Sequence, residues 1–122
     1  MQQHRKDFRV DVDLPIQCSF ISSEQEALLL SQGSIQDISL GGMKISVPLN
    51  SRTIAKQARS IDYEIQLPEP FQVLNGQGDI KWTFQDPNKN HLQIGLSFSN
   101  MDRNHQEEIA CIVEELVECI SG

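Results

Sequence analysis

The chain holds 122 residues, with 17 acidic against 10 basic side chains and a formal net charge of −7. This length suits one domain with a core large enough to fold without disulfides or a structural metal. The acidic balance excludes a general binder of nucleic-acid polymer and a polybasic membrane-binding surface, because both need clustered Lys and Arg.

The N-terminus, Met1-Gln2-Gln3-His4-Arg5-Lys6-Asp7, offers no apolar stretch of the kind a signal peptide needs. No run of about 18 apolar residues follows, which predicts a cytoplasmic protein without membrane insertion. Between Phe8 and Ile21, the residues Val10, Val12, Leu14, Ile16, Cys18 and Phe20 share one face at the period of a half-buried strand. Pro15 inside that pattern predicts an edge position or a bulge, since it cannot donate to a ladder. Ser22 to Glu26 is a polar connector, and the chain resumes with Ala27 to Leu30. Ile35 and Ile38 lead into a turn at Ser39-Leu40-Gly41-Gly42, after which Met43, Ile45 and Val47 alternate as far as Pro48. Ser51 to Ser60 is polar and basic and reads as a loop, with room for a short turn of helix.

Ile61, Tyr63, Ile65 and Leu67 alternate until Pro68-Glu69-Pro70 stops them. Phe71 to Phe84 carries one or two strands, with Asn75-Gly76-Gln77-Gly78 as a bulge or tight turn. Asp86-Pro87-Asn88-Lys89-Asn90 predicts a hairpin turn. Leu92, Ile94, Leu96 and Phe98 make the last strand, with Gly95 facing the other way. The period then changes to that of a helix: Ile109, Ile112, Val113, Leu116, Val117 and Ile120 lie opposite Glu107, Glu108, Glu114, Glu115 and Glu118. Asn104 with Glu107 resembles a capping box, and Asp102 serves equally well as the N-cap. About six short strands and then one helix predict a small barrel or sandwich whose open end the helix covers. The three cysteines, Cys18, Cys111 and Cys119, show neither a disulfide framework nor a zinc spacing and read as reduced, buried thiols. His91 and His105 read as surface residues without metal-like neighbours.

Two constellations carry chemistry. Arg5-Lys6-Asp7-Phe8-Arg9 is an R-x-x-x-R before the first strand, and Asp37-Ile38-Ser39-Leu40-Gly41-Gly42 is a D-x-S-x-x-G at a turn between strands. Chance alone supplies roughly 0.2 of the first and roughly 0.04 of the second in a shuffled chain of this composition. Singly, the arginines suit a solvated segment and Asp37 to Gly42 an Asx-type hairpin turn. Together and in this order they resemble the PilZ domain family of bacterial cyclic di-GMP receptors. The Gly42-Met43-Lys44-Ile45 continuation, the strand Ile94-Gly95-Leu96-Ser97-Phe98 and the terminal helix extend the resemblance from about Arg5 to Ile120.

The resemblance implies a mainly β fold, a six-stranded antiparallel PilZ-type β-barrel with one C-terminal α-helix. The whole chain, 1–122, would then be a single PilZ domain: an N-terminal ligand-binding arm at 1–9, the barrel at 10–99 and the helix at 102–120. It further implies that the two motifs meet on the outer surface of the barrel. Arg5 and Arg9 offer planar, permanently charged forks for phosphate oxygens and guanine O6/N7, and they stack on purines. Lysine in their place would be a point charge, so Arg5→Lys and Arg9→Lys are both expected to bind worse. Asp37 can accept from guanine N1–H and N2–H₂, and the Ser39 hydroxyl can donate to a phosphate or guanine acceptor. Gly41 and Gly42 would permit positive φ and a close backbone approach. Lys6 belongs to the same arm. His4 stands where arginine in the family favours a stacked pair of ligands, which leaves one or two ligands open. Trp82 either packs in the core or borders the ligand; as consecutive strand residues, Lys81 and Trp82 are expected on opposite faces.

The expected function is that of a cyclic di-GMP receptor. It would bind through both motifs, order its mobile arm and so change the surface offered to a downstream protein partner. No catalytic signature, metal site or cofactor motif is present in the sequence, so no enzyme activity is expected. The alternatives are a PilZ-fold protein-interaction module that binds no nucleotide, and a small barrel for single-stranded RNA or DNA. The latter would need a basic, aromatic-rich face, whereas aromatics make up 6% of the chain.

Overall fold

The alternation of the first third folds as two long antiparallel strands, β1 (Val10–Ser22) and β2 (Ala27–Ile38). At their turn the Ser22 hydroxyl accepts from the Glu24 and Glu26 amides, and Gln25 takes the left-handed corner at φ 67°. The computed structural model describes residues 9–48, 52–67, 73–85, 90–99 and 103–121, apart from the side chains of 52, 103–105 and 116–121. Strand β3 (Gly42–Pro48) returns along β2, and the short helix α1 (Arg52–Gln57) leads into β4 (Ala58–Ile65). Then come β5 (Leu74–Gln85), β6 (His91–Ser99) and the helix α2 (Arg103–Ser121).

Two three-stranded meanders thus zip together, β3 on β6 and β1 on β4, into a closed antiparallel barrel of order β1-β2-β3-β6-β5-β4. Closure pairs every strand on both sides over part of its length; among the described residues, stretches such as 10–15 of β1 and 80–85 of β5 pair on one side only. Pro15 fits because the β4 ladder begins beside it, at Ile16 opposite Ile65; only its carbonyl is used on that side, by the Gln66 amide. Phe20, Ile35, Ile45, Ile61, Ile65 and Ile94 fill the interior with no measurable exposure. Ile109, Ile112 and Val113 of α2 join the same cluster, so the apolar stripe of the helix does cover the barrel. Truncating one of these large core side chains to Ala would cost about 2–5 kcal/mol.

Several expectations change. The stretch from Ser51 to Ser60 holds the short helix for which it had room, α1, but it also holds the first residues of β4, because Ala55 and Ala58 are small enough to bury against the barrel. Asn75 to Gly78 is no turn; β5 runs through it in unbroken register with β4, from Ile65 opposite Leu74 to Ser60 opposite Asp79. Asn104 lies within α2, past the N-cap position, and Asp102, the other candidate cap, lies outside the described residues. Cys18 is buried, and desolvation pushes its thiol up to about 12. Cys111 is exposed on α2 and so departs from the expectation of a buried thiol, whereas the side chain of Cys119 lies outside the described residues. His91 is exposed, as expected; the side chain of His105 lies outside the described set. No helix among the described residues is long and apolar enough to cross a membrane.

Candidate functional site

Strand parity is decisive for the site. Ile35 faces the core opposite Ile45, so uninterrupted alternation would turn Asp37 inward as well. A register shift between Ile35 and Asp37 inserts one extra residue, and Asp37 comes to face Lys44 on the outer surface while Ile38 returns to the core. Strand β5 repeats the device. Ile80 stands opposite Leu96, but the next partner of β6, Gly95, meets Trp82 instead of Lys81. Without that bulge Trp82 would stand opposite Ile94 and point into the barrel.

The two bulges bring one row together across the outer face: Asp37 opposite Lys44, Lys44 opposite Gly95, and Gly95 opposite Trp82. Arg9 enters from the start of β1. Its Nη1 donates to Asp37 Oδ1 at 2.9 Å, and Lys44 Nζ approaches Asp37 Oδ2 at 3.5 Å. The two cations cover the carboxylate, whose side chain is 11% exposed, while that of Arg9 is 56% exposed. Arg9 therefore keeps free N–H donors and open faces, already held in place by the second motif.

Trp82 is 45% exposed and lies flat on β6; a Cβ at Gly95 would collide with its indole ring. An indole laid on a glycine presents its outer face to solvent, a geometry suited to stacking on a planar base. Arg9, Ser39, Gly41, Gly42, Lys44, Lys81 and Trp82 surround an open concavity of about 330 Å³. Among the described residues its lining carries three cationic side chains and no carboxylate, in a chain whose net charge is −7.

Of the sequence-predicted site residues, the fold brings Arg9, Asp37, Ser39, Gly41, Gly42 and Trp82 to one place. His4, Arg5 and Lys6 lie outside the described residues. Trp82 is settled as a surface residue, and the expectation of opposite faces for Lys81 and Trp82 is corrected: both are exposed and both line the concavity. Two details of the turn also differ from expectation. The Ser39 hydroxyl is buried and closes the hairpin, donating to the Gly42 carbonyl at 3.3 Å and accepting from the Gly41 amide. No described glycine has positive φ; Gly42 is required because a side chain there would strike the Leu96 carbonyl of β6.

Lys44, Lys81 and Gly95 were missed as site residues. A lone glycine facing outward from a regular strand was a usable signal for Gly95. Ile35 and Ile38 hinted at the β2 bulge, since residues three apart cannot share a face of a regular strand. Nothing comparable announced Lys81.

The family model of the PilZ domain matches residues 3–115. No curated protein sequence matches the chain significantly. Among solved structures, the PilZ domain of YcgR from Escherichia coli, determined with c-di-GMP, shares 16% identity at a TM-score of 0.59; the match covers 91% of this chain and 89% of that one. MrkH from K. pneumonia in its apo state shares 19% identity at a TM-score of 0.69, over 93% of this chain and 51% of that one. PlzA from Borreliella burgdorferi, in complex with c-di-GMP, shares 14% at a TM-score of 0.62, over 98% of this chain and 54% of that one. The chain thus spans about half the length of MrkH and PlzA. At these identities the likeness speaks for the fold, and the family model covers nearly the whole sequence that makes it: the chain belongs to the PilZ domain family.

Proposed function

We propose that the chain is a receptor for cyclic di-GMP that binds the dinucleotide on the outer face of the barrel and performs no catalysis. The observation that carries this reading is the Arg9–Asp37 ion pair, which joins the R-x-x-x-R and D-x-S-x-x-G motifs across 28 positions at the edge of a cationic concavity. Support also comes from family membership and from the PilZ structures of YcgR and PlzA, both determined with c-di-GMP. The ligand is a dianion with two guanines. Arg9 supplies a bidentate fork, Asp37 an acceptor for a guanine N1–H/N2–H₂ edge, and Trp82 a stacking face.

In this reading the residues 1–9, with His4, Arg5 and Lys6, close over a ligand already held by the barrel. The arm thereby becomes part of a new surface for a downstream protein partner in the cytoplasm. Calorimetric titration with cyclic di-GMP, linear pGpG and GTP tests the proposal. Binding of the cyclic dinucleotide in preference to the other two is the expected result; absence of heat with it at tens of micromolar protein would overturn the reading. Amide exchange of the arm tests the signalling step, which requires slower exchange at saturating ligand.

A further inference from the structure

The bulge in β5 does more than expose Trp82. We propose that Lys81 is a phosphate-binding residue of this site, delivered beside the stacking indole by the same bulge; the inference rests on the receptor reading above and deepens it.

Three observations converge. First, Lys81 and Trp82 together stand where a regular ladder would have one residue, so the bulge sets a cation and an aromatic side by side on the outer face. Bulges gather next to binding sites because they re-aim side chains in this manner. Second, the three cations lining the concavity differ in their commitments. Arg9 and Lys44 both contact Asp37, so this trio carries one net positive charge, whereas Lys81 forms no ion pair among the described residues. With Lys81 the cluster reaches two net positive charges, matching two phosphodiesters. Third, no carboxylate among the described residues lines the concavity, so none of them competes for the ammonium there.

The geometry also suggests a division of labour. The Lys44 ammonium is held against Asp37 and helps to fix that carboxylate in place. The Lys81 ammonium, a point charge on a flexible stem, is free to follow a phosphate. A base stacked on Trp82 would place its adjoining phosphodiester within reach of the residue next to the indole in the chain.

The test compares cyclic di-GMP affinities of the unaltered chain, Lys81→Gln, Lys81→Arg and Lys56→Gln by calorimetry. Lys56 is exposed on α1 and does not line the concavity, so its variant controls for net charge. Lys81→Gln is expected to weaken binding about tenfold at about 50 mM KCl, with the gap narrowing at about 300 mM as salt screens the lost charge. Lys81→Arg should retain most of the affinity, and Lys56→Gln all of it. If the unaltered chain binds and Lys81→Gln stays within about twofold of it at low salt, the inference is overturned while the receptor reading stands. A loss that Lys56→Gln shares equally would also overturn it, since bulk charge would then be the cause. If the unaltered chain binds nothing, the receptor reading falls and takes this inference with it.

Discussion

Two open concavities on the barrel are of similar size and opposite character. One, of about 330 Å³, is ringed by Arg9, Lys44, Lys81 and the exposed face of Trp82. The other, of about 390 Å³, lies over β1, β2, β4 and β5 and is lined by Gln17, Ser19, Leu30, Asp62, Tyr63, Glu64 and Asn75, with two carboxylates and no cation among the described residues. This second hollow is the poorer candidate for a dianionic ligand, because its carboxylates repel phosphate. Regular strands produce the acidic face, where outward residues simply alternate with the core. Register faults produce the cationic face. Volume does not distinguish the two regions; charge and broken alternation do.

The comparison can be pressed hardest with alkali, which should act on the wall behind the acidic concavity. Cys18 lies there between Gln17 and Ser19, and burial raises its thiol from 9.0 to about 12; burial raises Tyr63 in the same direction. A thiol kept protonated by the fold but ionised in the unfolded chain contributes fully below about pH 9, and that contribution disappears as pH climbs toward about 12. Each pH unit in that window should remove about 1.4 kcal/mol of stability. Urea midpoints measured from pH 8 to 11 check this, and Cys18→Ala should flatten part of the slope.

On the cationic side, Asp37→Ala should lower cyclic di-GMP affinity about 100-fold, since it removes a charged acceptor and releases Arg9 and Lys44 together. Arg9→Lys should cost about tenfold, because the ammonium keeps the charge but loses the planar fork. Calorimetry reads both. A loss after Asp37→Ala no greater than that after Arg9→Lys would mean that Asp37 only positions the arginine.

Gly95→Ala should cost about fivefold to tenfold in affinity through a single methyl group, by lifting the indole from β6. Trp82 is the only tryptophan, so intrinsic fluorescence reports this site alone. Ligand should quench it in the unaltered chain and quench it less in the variant. The smallest effect belongs to the acidic concavity: Asp62→Asn and Glu64→Gln should leave affinity within about twofold and stability within about 0.5 kcal/mol. A loss there comparable to that of Arg9→Lys would reverse the assignment of the two faces.

Much of the architecture was legible because local patterns carried it. Val10 to Phe20, Met43 to Val47 and Leu92 to Phe98 alternate, and they fold as strands with the expected inner faces. Ile109, Ile112 and Val113 meet the core at the helical period. Asn75 to Gly78 was misread because glycine-rich turn chemistry also suits a strand through which Leu96 passes close to Gly78. Lys81 and Trp82 were misread for a different reason: period 2 is a rule for unbroken ladders, and the break lies in the pairing of β5 with β6.

The sequence by itself determined the strand-rich pattern, the closing helix, the two motifs and the residue chemistry that suits a guanine dinucleotide. Tertiary structure alone decided which outward residues share a surface. Arg9 meets Asp37 across 28 positions, and Lys44, Gly95 and Trp82 line up only through the ladders of three strands. One inserted residue in β2 and one in β5 reverse the facing of Asp37 and Trp82. A bulge is a relation between two strands, so a local pattern in either strand alone does not specify it. The charge of −7 likewise concealed a cationic site, because net charge adds up a surface that the fold divides.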